Sequence, residues 1–245
     1  MQLERAVTAL KRARNISVLT GAGISAESGI PTFRDAQSGL WASYRPEDLA
    51  TPEAFARDPE LVWRWYLERR EKVQEVEPNA GHHALTRLQA YKPTTVITQN
   101  VDGLHQRAGN QDVIELHGSI MRTECHRTRQ VVEDAYLART SGSPPPSPHH
   151  PEGLCRPGVV WFGEALPAVA LQRAFEAAAA CDLFFSIGTS SVVEPAASLP
   201  LHALDEGAFV IEINPADTPL SPHCDVTLHG PSGEVLPRLL EALAV

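Results

Sequence analysis

The strongest constraint on the fold is a glycine turn that follows directly on a short β-branched run. Residues 16–20, ISVLT, are typical of a buried strand, and Gly21-Ala22-Gly23 come immediately after them. Glycine permits positive φ and lets the backbone approach a ligand closely, and the helix that follows offers unpaired N–H groups to an anion. The turn therefore favours a phosphate-binding loop in an α/β protein, although an ordinary tight turn has the same residues.

The second half of the chain alternates between helical and extended patterns. We predict a helix over 168–180, a strand over 183–187, a helix over 196–206, strands over 209–213 and 226–228, and a helix over 232–244. Such alternation indicates parallel strands joined by right-handed crossovers. The predicted fold class is α/β, with a Rossmann-like parallel sheet that carries helices on both faces.

Two segments depart from this rhythm within a single predicted domain over 1–245. Residues 36–92 are predicted to form a helical insertion that begins with a loop able to cover a ligand held at the glycine turn, and Thr51-Pro52 and Asp58-Pro59 are typical helix starts there. Residues 122–156 are predicted to form a small inserted module. Its stretch SGSPPPSPHHPEG, rich in proline and serine, predicts a floppy tip that does not pack.

The composition argues against several classes of partner. The net charge of −9 makes a nucleic-acid surface or an anionic membrane a poor choice, and it favours lysine-bearing protein segments instead. The N-terminal residues lack the apolar core of a signal peptide, and no apolar run is long enough to span a bilayer. Four scattered cysteines indicate reduced thiols, so we expect a cytoplasmic protein.

Six motifs are spread along the chain, and the glycine turn begins the first of them. They are Gly21 to Asp35 (GAGISAESGIPTFRD), Gln99-Asn-Val-Asp102, Glu115-Leu-His-Gly118, Val159-Val-Trp-Phe-Gly-Glu164, Gly188-Thr-Ser190 and Ile213-Asn-Pro215. In this order they resemble the sirtuin family of NAD-dependent protein deacylases, over nearly the whole chain. The resemblance is to the class III subgroup, the desuccinylases and deacetylases.

The resemblance implies NAD as cofactor and a set of residues that bind it. These residues are Gly21, Ala22, Gly23, Glu27, Ile30, Thr32, Phe33, Arg34, Gln99, Asn100, Asp102, Gly188, Thr189, Ser190, Asn214, Pro215 and Ser232. In this assignment Phe33 and Arg34 close over the nicotinamide ribose and its phosphates, and Ser232 lies near the adenine.

Four residues are the expected catalytic groups: His117, Asn100, Asp102 and Arg34. An imidazole titrates near neutral pH, so His117 is the candidate base that helps to deprotonate the ribose hydroxyls. Asn100 and Asp102 are two apart after a predicted strand and point to one side. Taken alone, a histidine is usually structural and Asn-x-Asp usually a turn. The resemblance implies a reaction that yields nicotinamide, 2′-O-acyl-ADP-ribose and free lysine.

The expected partner is an acyl-lysine protein segment. Residues 159–164 are predicted to form an exposed edge that captures it by strand addition, with contacts from Val160, Trp161, Phe162, Gly163 and Glu164. Tyr66 and Arg69 share a helix face and resemble the pair that binds succinyl, malonyl or glutaryl carboxylates, and Ala50 matches the small residue that leaves room for the chain. In isolation, the alternative is a surface helix rich in Trp, Tyr and Arg.

The pattern breaks at the structural zinc site of most sirtuins. Cys125 stands at the first ligand position, whereas Thr128 occupies the second and the other pair falls near Pro148 and Pro151. A closed zinc site needs four N or S ligands, so bound zinc is not expected and no metal ligand is assigned. We also expect a monomer.

Two other functions remain open at this point. Cleavage of the same nicotinamide bond serves a protein ADP-ribosyltransferase, and a non-catalytic NAD or ADP-ribose sensor needs only the binding site. The complete set Arg34, Asn100, Asp102 and His117 favours the deacylase over the sensor.

Overall fold

A parallel sheet forms the centre of the molecule in the computed structural model, which describes residues 1–31 and 44–243. The strands are β1 (Ile16–Thr20), β2 (Thr94–Thr98), β3 (Val113–Glu115), β4 (Gly118–Cys125), β5 (Cys155–Val159), β6 (Leu183–Ile187), β7 (Phe209–Asn214) and β8 (Val226–His229). The helices are α1 (Gln2–Arg12), α2 (Gly23–Ala26), α3 (Pro46–Leu49), α4 (Pro52–Arg57), α5 (Pro59–Glu75), α6 (Ala80–Tyr91), α7 (Leu104–Arg107), α8 (Asp134–Leu137), α9 (Ala168–Ala180), α10 (Leu199–Asp205) and α11 (Ser232–Glu241).

The order of the main sheet confirms the predicted fold class. Six strands lie in the order β3-β2-β1-β6-β7-β8, and all neighbours pair in parallel. Leaving out β4 and β5, this is the 3-2-1-4-5-6 order of a dinucleotide-binding fold. The strand order reverses at β1: β2 and β3 lie on one side of it, and β6, β7 and β8 lie on the other. A crevice therefore opens between the carboxyl ends of β1 and β6.

Both faces of the sheet are covered, which explains why β1 and β6 are buried at every position rather than at alternate ones. On one face α1, α6 and α11 enclose a buried cluster that includes Leu10, Leu85 and Leu236. On the other face α9 and α10 contribute Ala174 and Leu199 to a second cluster. The parallel strands are held between these two layers.

Side-chain caps start the helices of the insertion where the sequence predicts them. Thr51 Oγ1 accepts the N–H of Ala54 at 3.1 Å, and Asp58 Oδ1 accepts the N–H of Leu61 at 3.0 Å. A proline occupies the first turn in each case, where no helical N–H bond is lost. The cofactor loop predicted from residue 36 lies outside the described residues as far as residue 43.

The tip of the small module is packed, so the prediction of a floppy tip was wrong. Pro144 and Pro145 are buried, Ser147 N–H donates to Gly153 O at 2.8 Å, and Cys155 N–H donates to Pro145 O at 2.8 Å. Proline has no N–H, so its burial leaves no donor unsatisfied. The tip lies beside the antiparallel pair β4-β5.

None of the helices in the two described ranges combines the length and apolar character needed to cross a membrane.

Candidate active site

Three backbone loops meet at the carboxyl ends of β1, β2 and β6. Gly21 N–H donates to Ile187 O at 3.0 Å, and Gly23 N–H donates to Gly188 O at 2.8 Å. A Cβ built on Gly23 would stand 2.7 Å from Gly188 Cα, and one on Gly188 would stand 2.5 Å from Ile24 N. The glycines are therefore required by the contact between the β1 and β6 loops, which shapes the crevice where this fold class binds dinucleotides.

The polar residues that follow β2 join the same cluster. Gln99 Nε2 donates to Thr189 Oγ1 at 3.0 Å, which links the β2 and β6 loops across β1. Asn100 Nδ2 donates to Gly21 O at 3.0 Å. The structure thus brings together five of the predicted cofactor residues, Gly21, Gln99, Asn100, Gly188 and Thr189.

Ser25 is a site residue that the sequence analysis missed. Its hydroxyl donates to Asp102 Oδ2 at 2.7 Å and accepts from Asn100 Nδ2 at 3.2 Å. Burial raises the pKa of Asp102, and the Leu104 N–H and the Ser25 hydroxyl partly offset this effect. Sequence spacing gives no signal for this contact, because Ser25 and Asp102 are 77 positions apart.

His82 extends this chain of hydrogen bonds, and it too was missed. Its Nδ1 accepts the N–H of Asn79 at 3.2 Å, so Nε2 carries the proton and faces Ser25 Oγ at 3.5 Å. Burial, followed by repulsion from His83, lowers the pKa of His82 to about 4. A neutral His82 therefore supports Ser25 and, through it, Asp102.

His117 lies one loop away with its tautomer fixed. Its Nδ1 stands 2.8 Å from Gln99 O, and since a carbonyl only accepts, Nδ1 carries the proton. Burial lowers the pKa of His117, and the Gln99 bond opposes this effect. The half-buried ring is therefore neutral near pH 7 and presents Nε2 as an acceptor, which is the state that a general base requires.

Other predicted cofactor residues lie around this cluster or beyond it. Ser190 follows Thr189, Asn214 ends β7 with Nδ2 donating to Ala216 O at 3.1 Å, and Pro215 next to it is exposed. Ala22 precedes α2, and Ile30 packs on the cluster of apolar residues beside α5. Thr32, Phe33 and the candidate catalytic residue Arg34 lie outside the described residues.

Glu27 and Ser232 contact each other across the molecule. The N–H of Gly233 donates to Glu27 Oε2 at 2.7 Å, and the Ser232 hydroxyl donates to the same oxygen at 3.3 Å. A carboxylate at the N-terminus of α11 is favourable because it meets the positive end of the helix dipole. Glu27 thus links the first loop to the last helix.

The predicted acyl-binding residues converge beside α5. Ala50, Tyr66 and Trp161 belong to one buried cluster, and Trp161 Nε1 donates to Tyr66 Oη at 3.1 Å. The Arg69 guanidinium lies 4.8 Å from the centroid of the Trp65 ring. Burial raises the pKa of Tyr66 to about 12, with the nearby Arg69 charge acting against it.

The edge predicted over 159–164 is shorter than expected. The strand ends at Val159, after which the N–H groups of Val160 and Phe162 donate to His117 O and Ala50 O, both at 2.9 Å. The carboxylate of Glu164 accepts the Trp161 N–H at 2.8 Å and closes a turn at Gly163, where φ is +85°. These two backbone bonds join the segment to His117 and to Ala50, with the Trp161 side chain buried and the Phe162 side chain exposed.

No group of three or more His, Cys, Asp or Glu side chains within 1–31 and 44–243 is arranged to hold a metal ion. Burial raises the pKa of Cys125, but donors from Ser147, Thr128 and Arg127 outweigh it and lower the value below that of an ordinary thiol. Burial, with repulsion from Cys125, raises the pKa of Cys155 to about 11. The lack of zinc stays a prediction.

A parallel sheet with this strand order, and with an imidazole base and polar side chains at the β1–β6 crevice, defines a class of dinucleotide-using α/β enzymes. Within that class the chain belongs to the Sir2 family, because the sequence model described as "Sir2 family" matches residues 21–195. The prediction from the six motifs is confirmed.

Two named deacylases are similar to this chain over almost the full length of both proteins. "NAD-dependent protein deacylase 2" of Pyrobaculum aerophilum is 52% identical over 233 residues, which cover 95% of this chain and 92% of that protein. "NAD-dependent protein deacylase 1" of Pseudomonas aeruginosa is 51% identical over 240 residues, which cover 96% of each chain.

Solved structures share the fold. The "crystal structure of a Sir2 homolog-NAD complex" aligns with a TM-score of 0.90 at 46% identity, and the alignment covers 98% of this chain and 93% of that one. The "Sir2-p53 peptide-NAD+" structure aligns with a TM-score of 0.87 at 32% identity and covers 100% and 99% of the two chains.

Proposed function

We propose that this protein removes acyl groups from protein lysines in an NAD-dependent reaction, and that it accepts succinyl and malonyl groups as well as acetyl. The observation that carries the proposal is the position of His117, a neutral imidazole with its Nε2 available, on the loops that join Gln99 to the β1–β6 crevice. The names of the relatives favour a deacylase over an ADP-ribosyltransferase or a sensor.

The residues of the crevice fit NAD by their chemistry. Gly21, Gly188 and Thr189 bring backbone and hydroxyl groups to the place where the fold binds phosphates, and Asn100 and Asp102 offer polar groups to a carboxamide and to ribose hydroxyls. Bound NAD supplies the nicotinamide leaving group and the ADP-ribose that accepts the acyl group. His117 takes a proton from a ribose hydroxyl at Nε2, while the Gln99 carbonyl stabilises the imidazolium that forms.

The acyl preference follows from charge and burial at Tyr66 and Arg69. Tyr66 is buried and Arg69 is partly buried one turn along α5, and burial lowers the pKa of the Arg69 guanidinium. A guanidinium keeps its charge in proteins because its ordinary pKa lies far above neutral. A guanidinium and a phenol O–H can both donate to one carboxylate, the guanidinium through two N–H groups. The tip of a succinyl or malonyl group carries such a carboxylate, and the small side chain of Ala50 leaves room for it.

The test is nicotinamide release from NAD with two peptides that differ only in succinyl-lysine or acetyl-lysine. We expect turnover of both, and Arg69→Met to lower kcat/KM for the succinyl peptide by about a hundredfold with little change for acetyl, as expected for the loss of a buried charged contact. Arg64→Met on the exposed side of α5 is the matched control. Release from neither peptide would exclude the deacylase.

The net charge of the protein also fits a protein substrate. A deacylase acts on protein segments, and the net charge of −9 suits lysine-bearing ones. We infer a cytoplasmic monomer, which size-exclusion chromatography and cell fractionation test.

A further inference from the structure

We propose that Trp161 is a specificity-determining positioning residue, whose indole N–H fixes the Tyr66 hydroxyl as a donor toward the carboxylate of an acidic acyl group. The inference rests on the proposed function and names a residue that sets its acyl preference.

The hydrogen bond between the two side chains has only one possible direction. Indole Nε1–H is a donor without acceptor capacity, so in the 3.1 Å contact the Tyr66 oxygen must accept. Trp161 is 2% exposed and Tyr66 6% exposed, so water does not compete strongly for this contact. With a lone pair of its oxygen engaged by Trp161, Tyr66 retains its own O–H as a donor for a different group.

The protonation state of Tyr66 keeps that donor in place. Burial raises the pKa of Tyr66 to about 12, so the phenol is neutral at every pH at which the protein is expected to work. Arg69 lies three residues after Tyr66 on α5, and its guanidinium stands 4.8 Å from the centroid of the Trp65 ring, which is itself 4.7 Å from the Tyr66 ring. A phenol O–H beside a guanidinium forms a pair of donors that a carboxylate satisfies and an acetyl methyl group does not.

The position of Trp161 is itself held from two sides. The Arg156 guanidinium lies 3.3 Å from the centroid of the indole ring. The same guanidinium donates to both oxygens of Glu164 at 2.6 and 2.9 Å, and Glu164 Oε2 accepts the Trp161 backbone N–H. Backbone and ring are therefore fixed together, and so is the direction of the indole N–H toward Tyr66.

Trp161→Phe removes the N–H and keeps an aromatic ring under Arg156. We expect the ratio of kcat/KM for the succinyl peptide to kcat/KM for the acetyl peptide to fall about tenfold or more, the size expected for losing the orientation of one hydrogen bond to a charged group. Trp63→Phe is the matched control, because Trp63 packs with Val132 and Cys155 in a different cluster.

A double-mutant cycle separates this role from general support of the pocket. If Trp161 acts through the Tyr66 hydroxyl, Trp161→Phe causes no additional loss for the succinyl peptide in a Tyr66→Phe background. Additive losses, or an equal loss for succinyl and acetyl peptides, overturn the inference.

A second variant covers the case in which Trp161→Phe loses acetyl turnover through misfolding. Site-specific replacement of Trp161 by benzothienylalanine keeps the bicyclic shape and has no N–H, and we expect the same succinyl-specific loss. Unchanged succinyl turnover overturns the inference.

The wild-type protein separates this inference from the proposed function. A wild-type protein that turns over acetyl but not succinyl peptides contradicts the proposed acyl preference, and this inference with it. A wild-type protein active on succinyl with an unaffected Trp161→Phe variant contradicts this inference alone.

Discussion

At the scale of single residues, hydrogen-bond direction decides what the site histidines can do. The Gln99 carbonyl at 2.8 Å fixes the proton of His117 on Nδ1, while the Asn79 N–H at 3.2 Å fixes the proton of His82 on Nε2. The two rings therefore have opposite tautomers within one site. His117 is ready to accept a proton, whereas His82 is a donor to the Ser25–Asp102 chain.

The state of His117 predicts the pH profile of the reaction. A base must be unprotonated, and burial lowers the pKa of His117 from its ordinary value of 6.5, so kcat/KM rises with pH through an inflection below 6.5. The acetyl-lysine peptide is the substrate to use, because its acyl group has no carboxylate of its own. His117→Ala lowers turnover by about a hundredfold or more. His83→Gln, at an exposed position, leaves the inflection in place. An inflection at or above 6.5 contradicts this assignment.

At the scale of elements, the site depends on how closely the β1 and β6 loops approach. Gly188 has φ +60° and has no room for a Cβ, which would meet Ile24 N at 2.5 Å. Gly207, after α10, has φ +91°, and a Cβ added there would meet nothing within 4 Å. Both positions have a positive φ, which favours glycine, and they differ in the space available for a Cβ atom.

Replacing each glycine with alanine separates these two effects. Both variants suffer left-handed strain of roughly 1–2 kcal/mol. Gly188→Ala in addition forces the two loops apart, so we expect a further loss of about 2 kcal/mol or more in the free energy of unfolding, together with weaker NAD binding. Denaturant unfolding and calorimetric titration with NAD measure the two quantities. Equal stability losses in the two variants would show that the loop contact is unimportant.

The bounds of some helices and strands could be predicted from the sequence, and those of others could not. The helix over 168–180 and the strands over 16–20 and 183–187 have the predicted bounds, because apolar runs are local signals. The last helix ends at Glu241 rather than 244. The packed proline tip was missed because a composition rich in proline and serine gives no sign of the backbone bonds that hold it, from Ser147 to Gly153 and from Cys155 to Pro145.

Some residues of the site could likewise be predicted from sequence motifs, and others could not. Asn100, Asp102 and His117 could be assigned from motifs that follow strands, since carboxyl ends of parallel strands meet at one edge. Ser25 and His82 are identified only by their hydrogen bonds, and the contact between Glu27 and Ser232 joins residues about 200 positions apart. Sequence spacing holds no signal for contacts at that separation.

At the scale of the whole molecule, buried polar groups connect the site to the stability of the fold. His105 is 1% exposed, its Nε2 lies 2.8 Å from Thr20 Oγ1, and the Thr20 hydroxyl donates to Thr98 Oγ1 at 2.8 Å. These bonds cross-link β1 and β2 directly beneath the site. The His105 ring stands 5.0 Å from the His82 ring, centroid to centroid, so a charge on either ring disfavours a charge on the other.

This arrangement predicts acid sensitivity with a definite sign. Burial, followed by repulsion from His82, lowers the pKa of His105 to about 3, and the pKa of His82 is about 4, against an ordinary value of 6.5. Between pH 6.5 and those values the unfolded chain binds more protons than the folded one. Both contributions to stability are therefore fully present above pH 6.5 and are lost as the pH falls below it.

We expect the free energy of unfolding to fall by about 1.4 kcal/mol per pH unit for each of the two histidines between pH 6 and pH 4. His105→Gln keeps a donor near Thr20 and removes one titrating group, so it makes the dependence shallower by about 1.4 kcal/mol per pH unit. His223→Gln, at an exposed position, leaves the dependence unchanged. Asp102 has a raised pKa and acts in the opposite sense as the pH falls, but it is present in every variant compared. Urea unfolding at several pH values measures the slopes, and an identical slope in wild type and His105→Gln would mean that His105 does not stay neutral in the folded protein.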